Sequence, residues 1–224
     1  MFRFSILAGC GLALVLLITS SASAQFGRNF RIPPIVADIM SMRAEKVQQE
    51  LKLNEEQTEQ VVGIATEMQA EAMEIISGLQ DLTPQEREEE LPNVMEMINE
   101  RATELQKQVE GILDEKQMAR VEELSLQRRG VEALDDKKVA EKLKLTDDQK
   151  KELVQIQDDA AGKQEEIMKA FFGGDRDELR GKIQALRKEM GDKALAVLTT
   201  EQREQFEKMK GAKFEFPRSR GFGF

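Results

Sequence analysis

Leu145-Thr146-Asp147-Asp148-Gln149 decides how this chain is read, because the chain writes it four times. Leu198-Thr199-Thr200-Glu201-Gln202 repeats it in full, while Leu53-Asn54-Glu55-Glu56-Gln57 and Leu113-Asp114-Glu115-Lys116-Gln117 place Asn or Asp where the others have Thr. In each copy a side chain bearing an oxygen stands three residues before a glutamine. At an N-cap that oxygen accepts from an early backbone N–H, and the glutamine reaches back to the cap's own N–H. Two of the four orphan donors of a helix start are satisfied in this way. The leucine before each cap is placed to tuck against the first turns, and eight residues after it an apolar side chain recurs: Val61, Val121, Leu153 and Phe206. Each copy therefore reads as the start of a helix.

Outward from these starts the apolar periodicity is helical. Pro33-Pro34 hands over to a helix from about Ile35 to Leu51, proline being tolerated in a first turn. After the Asn54 cap, Val61, Ala65, Met68, Ala72, Ile75 and Leu79 step by four and three, which is a heptad seam. Gly78 and the turn Asp81-Leu82-Thr83-Pro84 are expected to end that helix. A return helix starts near Gln85 and carries Leu91, Met95, Ile98, Ala102, Leu105, Val109 and Ile112. Pro92 removes a hydrogen bond, so either the regular helix starts near Leu91 or it is kinked there. Two complementary seams across a short turn predict an antiparallel hairpin with arms about 40 Å long. Asp114 caps a shorter helix that runs to about Arg129, where Gly130 stops it.

Beyond Gly130 the order recurs. Val139 to Thr146 parallels Val47 to Asn54 at an offset of 92, and Ile183 to Gln202 parallels Ile98 to Gln117 at an offset of 85. The difference falls in the second hairpin turn, at Phe171-Phe172-Gly173-Gly174. This is the signature of an internal duplication. The expected fold is all-α: a tandem pair of long antiparallel helical hairpins, coiled-coil-like and elongated, with repeats at 35–130 and 131–213. A signal peptide at 1–24, a flexible arm at 25–34 and a flexible Phe/Gly/Arg tail at 214–224 flank them.

Arg3, the apolar run Gly11 to Ile18 and the small residues Ala22-Ser23-Ala24 form an export signal cleaved near Ala24, so the mature chain begins at Gln25. Leu7-Ala8-Gly9-Cys10 has the letters of a lipidation site, but most of the apolar run follows Cys10 where a lipobox would need it to precede. Cleavage removes the only cysteine, leaving no disulfide. It also removes one positive charge, taking the net charge from −9 to −10. Such a surface repels nucleic acid and anionic lipid, and no membrane insertion is expected after cleavage.

With no His, Trp or Tyr in the chain and no Cys after cleavage, imidazole and thiolate dyads cannot be assembled, and no enzymatic activity is expected. Ser41, Ser77, Ser125 and Ser219 lie in unrelated contexts, and no glycine-rich loop follows a strand. The carboxylates Glu86, Glu88, Glu89 and Glu90 read as a solvated helix face. No catalytic, cofactor or metal site is assigned, because the nitrogen and sulfur ligands of zinc and copper are missing and no calcium loop is present. Methionines beside the seams could serve as a surface that re-packs around varied partners. Candidates are Met73, Met97 and doubled apolar positions whose second members, Val62, Ile76 and Phe172, point partly away from the seam, together with Phe171.

The four capped motifs, their order and the export signal together resemble the LTxxQ-motif family of Spy- and CpxP-like periplasmic proteins. The resemblance covers most of the mature chain, with two motifs matching in full. It implies an all-helical envelope protein built of helical hairpins, acting as an ATP-independent chaperone or stress adaptor toward partly unfolded proteins, with a second copy of the chain as a further candidate partner. A related zinc resistance-associated group binds metal, which makes a metal-responsive envelope protein a third reading after a structural coiled-coil scaffold. Two departures stand out: the chain carries two hairpin units, and it is acidic where the family's concave surfaces are basic. In this reading Leu53, Asn54, Gln57, Leu113, Asp114, Gln117, Leu145, Thr146, Gln149, Leu198, Thr199 and Gln202 are capping residues and bind no ligand.

Overall fold

A computed structural model describes residues 32–171 and 176–217. The expected signal peptide, Cys10, most of the expected N-terminal arm, Phe172 and residues 218–224 lie outside the described residues. Among the described residues the chain is all-α, without strands. Its helices are α1 (Pro34–Ser41), α2 (Glu45–Leu51), α3 (Glu55–Gln80), α4 (Pro84–Ile112), α5 (Glu115–Arg129), a 3-10 helix (Gly130–Asp135), α6 (Lys137–Lys142), α7 (Asp147–Ala170), α8 (Arg176–Val197) and α9 (Thr200–Met209). They divide into two compact units, one ending at Met118 and taking in Glu215 onward, the other spanning Ala119–Phe214. The division falls inside α5, whereas the internal repeat places its joint at Gly130.

In the first unit the single helix expected over 35–51 is two. Ile35, Ile39 and Met42 make one stripe, and Val47 and Leu51 lie roughly 130° around from it at about 100° per residue. A straight helix could not bury both stripes. The chain turns at 42–44, where the Ser41 hydroxyl donates to the Asp38 carbonyl at 2.7 Å and the Gln48 amide donates to the Met42 carbonyl at 2.8 Å. All five side chains are then buried. Pro34 stands at N1, where its missing N–H costs nothing.

α2 ends with Lys52 in the left-handed region at φ 54°, and the Leu53 N–H reaches back to the Gln48 carbonyl at 3.0 Å. This is the long-range bond of a Schellman stop, so the motif leucine closes one helix immediately before the cap opens the next. The second unit repeats the device at the same offset, with Lys144 at φ 53° and Leu145 N–H donating to the Ala140 carbonyl at 3.0 Å.

The α3/α4 hairpin runs longer than its sequence suggests. α3 passes through Gly78 to Gln80, and α4 starts at Pro84 and continues through Pro92, which is exposed. Thr83 caps α4 with a full capping box: its hydroxyl accepts from Glu86 N–H at 3.3 Å and Glu86 accepts from the Thr83 N–H at 2.9 Å. Arg87 closes the turn by donating to the carbonyls of Leu79 and Leu82 at 2.9 and 3.0 Å. α3 buries Val61, Ala65, Met68, Ile76 and Leu79, leaving Ala72 and Ile75 half-buried. On α4, Val94 is buried and Met95 and Ile98 are half-buried.

In the second unit Gly130 stops α5 at φ 55°, and the 3-10 helix places Ala133 and Leu134 in the core. That core gathers Leu126, Val139, Leu143, Leu145, Leu153, Ala194, Leu198 and Phe206 around the motif end of the α7/α8 hairpin. Equivalent positions are buried in both units: Met42 and Leu134, Val47 and Val139, Leu51 and Leu143, Val61 and Leu153.

The hairpins also share a charge site with its signs rearranged. In the first, Arg101 pairs with Glu71 across the hairpin at 2.9 Å and with Glu104 at 3.1 Å. The positions equivalent to Glu71 and Glu104 are Lys163 and Glu189, which pair directly at 2.7 Å, while Arg101 is replaced by the buried Leu186. Where the opposing acid has become a lysine, the bridging arginine is no longer needed.

Candidate functional site

The four motifs meet in pairs, one pair in each unit. In the second unit the Thr146 and Thr199 hydroxyls each accept from the backbone N–H of their glutamine at 3.2 Å. Gln149 and Gln202 accept from the N–H of Thr146 and Thr199 at 3.0 and 2.9 Å. So far this is four capping-box bonds of the expected kind. The glutamines then use their amide hydrogens on each other: Gln149 Nε2 donates to Gln202 Oε1 at 2.7 Å and Gln202 Nε2 donates to Gln149 Oε1 at 3.1 Å. The remaining hydrogens go to helix ends, Gln149 to the Val197 carbonyl at 2.9 Å and Gln202 to the Leu143 carbonyl at 3.2 Å.

The first unit is built alike. Asn54 and Asp114 accept from Gln57 and Gln117 N–H at 2.8 Å, and those glutamines accept from the cap N–H groups at 3.1 and 2.9 Å. Gln57 and Gln117 exchange amide bonds at 2.8 and 3.0 Å. Gln57 also donates to the Ile112 carbonyl at 2.9 Å, and Gln117 to the carbonyls of Leu51 and Lys52 at 3.3 and 3.4 Å.

Every amide hydrogen and both oxygen lone pairs of each glutamine thus have work, which is the full capacity of a carboxamide. Each glutamine opens its own helix and closes a second one, so four helix ends are tied at one point. The pair is neutral, its carboxamide oxygens are already engaged, and it offers no nucleophile or proton carrier. Its chemistry is structural. Removing one glutamine would strand carbonyls and N–H groups at about 1–3 kcal/mol for each buried group left unpaired. The apolar side chain eight residues after each motif leucine, Val61, Val121, Leu153 or Phe206, is buried in every copy.

Of the proposed partner-binding side chains, Val62 and Phe171 are half-buried and Phe172 lies outside the described residues. Ile76 is corrected: at 4% exposure it belongs to the core, and Ile75 is the part-exposed member of that pair. The two project about 60° and 40° to opposite sides of Val61 at about 100° per residue, so periodicity does not separate them. Met73 and Met97 are exposed, at 37% and 48%. Val154 and Met168 are exposed too, at 50% and 37%, and were missed. Both are second members of doubled apolar pairs, Leu153-Val154 and Ile167-Met168, so the rule that found Val62 would have found them.

Short-range ion pairs punctuate the charged surface. Lys163 and Lys193 flank Glu189 at 2.7 and 2.9 Å and hold its carboxyl down at about 2. Hydrogen bonds from Thr83 lower the Glu86 carboxyl below the ordinary carboxylate range. Among the described residues no group of three or more acidic, His or Cys side chains is arranged to hold a metal ion. Among them, too, no helix is long and apolar enough to cross a membrane. Comparison with protein-family models, with curated proteins and with solved structures found no match to this chain.

Proposed function

We propose that this protein is an exported, ATP-independent chaperone or stress adaptor of the LTxxQ type, which holds partly unfolded envelope proteins on the outer faces of its helices. The observation that carries the reading is the kind of side chain left outside. Four of the six large hydrophobics exposed among the described residues, Met40, Met73, Met97 and Met168, are methionines. An unbranched thioether re-packs against differently shaped partners at low cost, which suits transient binding of many chains better than one fixed interface. The glutamine-tied helix ends supply a stable frame, so that this surface need not contribute to holding the fold. The export-signal pattern of residues 1–24 supports a mature chain that starts at Gln25 and acts in the periplasm or outside the cell.

The test is suppression of aggregation. A chemically denatured, unrelated protein diluted into stoichiometric amounts of the mature chain should stay soluble without ATP. A variant carrying Met73→Ser, Met97→Ser and Met168→Ser should lose most of that effect while keeping its helical circular dichroism. A client that aggregates at an unchanged rate would point to the scaffold reading instead.

A further inference from the structure

The segment that follows α9 is tied to α5 in an unusual way. Lys210 ends α9 and Gly211 turns the chain at φ 63°. Gln127 Nε2 then donates to the carbonyls of Lys210 and Ala212 at 2.6 and 2.8 Å, and Gln127 Oε1 accepts from the Phe214 N–H at 2.8 Å. Arg120, two turns earlier on the same face of α5, donates to the Ala212 carbonyl at 2.8 Å and pairs with Glu123. A Cβ on Gly211 would meet the Glu123 carboxylate at 2.0–2.6 Å, besides suffering the left-handed φ. Phe214, the first residue of the expected flexible tail, is thus held by its own N–H, while 218–224 lie outside the described residues.

Three of these four bonds go to main-chain atoms of residues 212–214, and the fourth to the Lys210 carbonyl at the helix end. A carboxamide that donates to the carbonyl of residue 212 and accepts from the N–H of residue 214 does what one residue of a neighbouring parallel strand does. Such contacts read the main chain and ignore side chains, which is the logic of strand addition.

We propose that the Arg120/Gln127 face of α5 is a binding site for the main chain of unfolded polypeptide, occupied in the resting protein by its own segment 210–214. The partner it fits is a stretch of unfolded chain with a glycine where Gly211 sits. Its identity as a client rests on the chaperone reading above; the site itself does not. The tethered strap competes at high effective concentration, so a client enters when the strap lets go.

The experiment measures fluorescence anisotropy of a labelled peptide of sequence 210–217 with the full mature chain. Gly211→Val releases the strap and should tighten peptide binding at least about tenfold over the unaltered protein, since the intramolecular competitor is gone. Adding Gln127→Leu should abolish the gain. N-methylation of the peptide at its first Phe, which deletes only the N–H, should weaken binding similarly. A peptide with the same glycine and otherwise shuffled side chains should still bind. Equal binding by the unaltered chain and Gly211→Val, or binding indifferent to Gln127→Leu, would sink the proposal. Binding confined to the chain's own sequence would overturn the client reading of the site in favour of strap exchange between copies. If Gly211→Val lowers helicity, the side-chain amide resonance of Gln127 in the unaltered protein serves instead: excess unlabelled peptide should shift it, and an unmoved resonance counts against the site. Aggregation suppression in the presence of a silent peptide assay would refute this site while leaving the proposed function standing.

Discussion

Gln149 and Gln202 show how much one residue type can hold when its position is right. Each was legible as half of a capping box, because Thr and Gln three apart have a local meaning that needs no tertiary information. That their amides would also lock together was not legible, since the partners are 53 residues apart in sequence. The two roles predict different costs. Thr146→Ala removes one cap and should lower the unfolding free energy by about 1 kcal/mol in urea titration. Gln202→Leu strands an N–H, a carbonyl and the Gln149 amide, and should cost about 2–4 kcal/mol. Adding Gln149→Leu should cost distinctly less than a second independent loss, with a coupling of about 1 kcal/mol. Additive losses would mean the amide pair contributes nothing. A buried residue of the opposite kind is Ser125 on α5, whose hydroxyl has no partner. Ser125→Ala should raise stability by about 1 kcal/mol, because it deletes a buried group that gains nothing from being polar.

At the scale of the elements, α4 carries the clearest tension. Pro92 sits in the interior of a 29-residue helix, deprives the Glu88 carbonyl of its partner and crowds the preceding turn. The sequence left two options, a late start or a kink, and overlooked the Thr83-x-x-Glu86 box that lets the helix begin eight residues before the proline. Since Pro92 is exposed, Pro92→Ala should stabilise the protein by about 1–3 kcal/mol, seen as a higher urea midpoint with an unchanged slope. The charge pair of the other hairpin gives a pH dependence. The Glu189 carboxyl falls from the ordinary 4.5 to about 2 on folding, so between those values the unfolded chain binds more protons than the folded one. Its contribution is therefore complete above about pH 4.5 and is lost as pH falls through about 2. The group is exposed, and its effect on total stability is small. The sharper measurement is the carboxyl carbon resonance of Glu189, which should titrate well below those of other glutamates. Lys163→Met should bring its midpoint back toward the ordinary range.

For the whole molecule the N-terminus is the testable point. Intact mass of the exported protein should place its first residue at Gln25 without a diacyl group; a lipidated Cys10 would overturn the reading of the signal. The all-α class, the helix starts and the duplicated frame were open to inspection because they rest on interactions within a few residues: capping boxes, left-handed stops, and apolar steps of three and four. Even the left-handed Lys52 and Lys144 fall at matching points of the repeat. What no local pattern carried was which of two neighbouring apolar residues is covered, as with Ile75 and Ile76, or why the lead-in helix breaks at Met42. The same holds for the strap, whose Phe214 N–H finds Gln127 across 87 residues of chain. The sequence by itself determined the four motif-capped helix starts and the stop at Gly130, since those contacts close within one turn. Only the tertiary structure decided which helix ends are tied together and which apolar faces stay open, because both depend on what a distant segment brings to the same place.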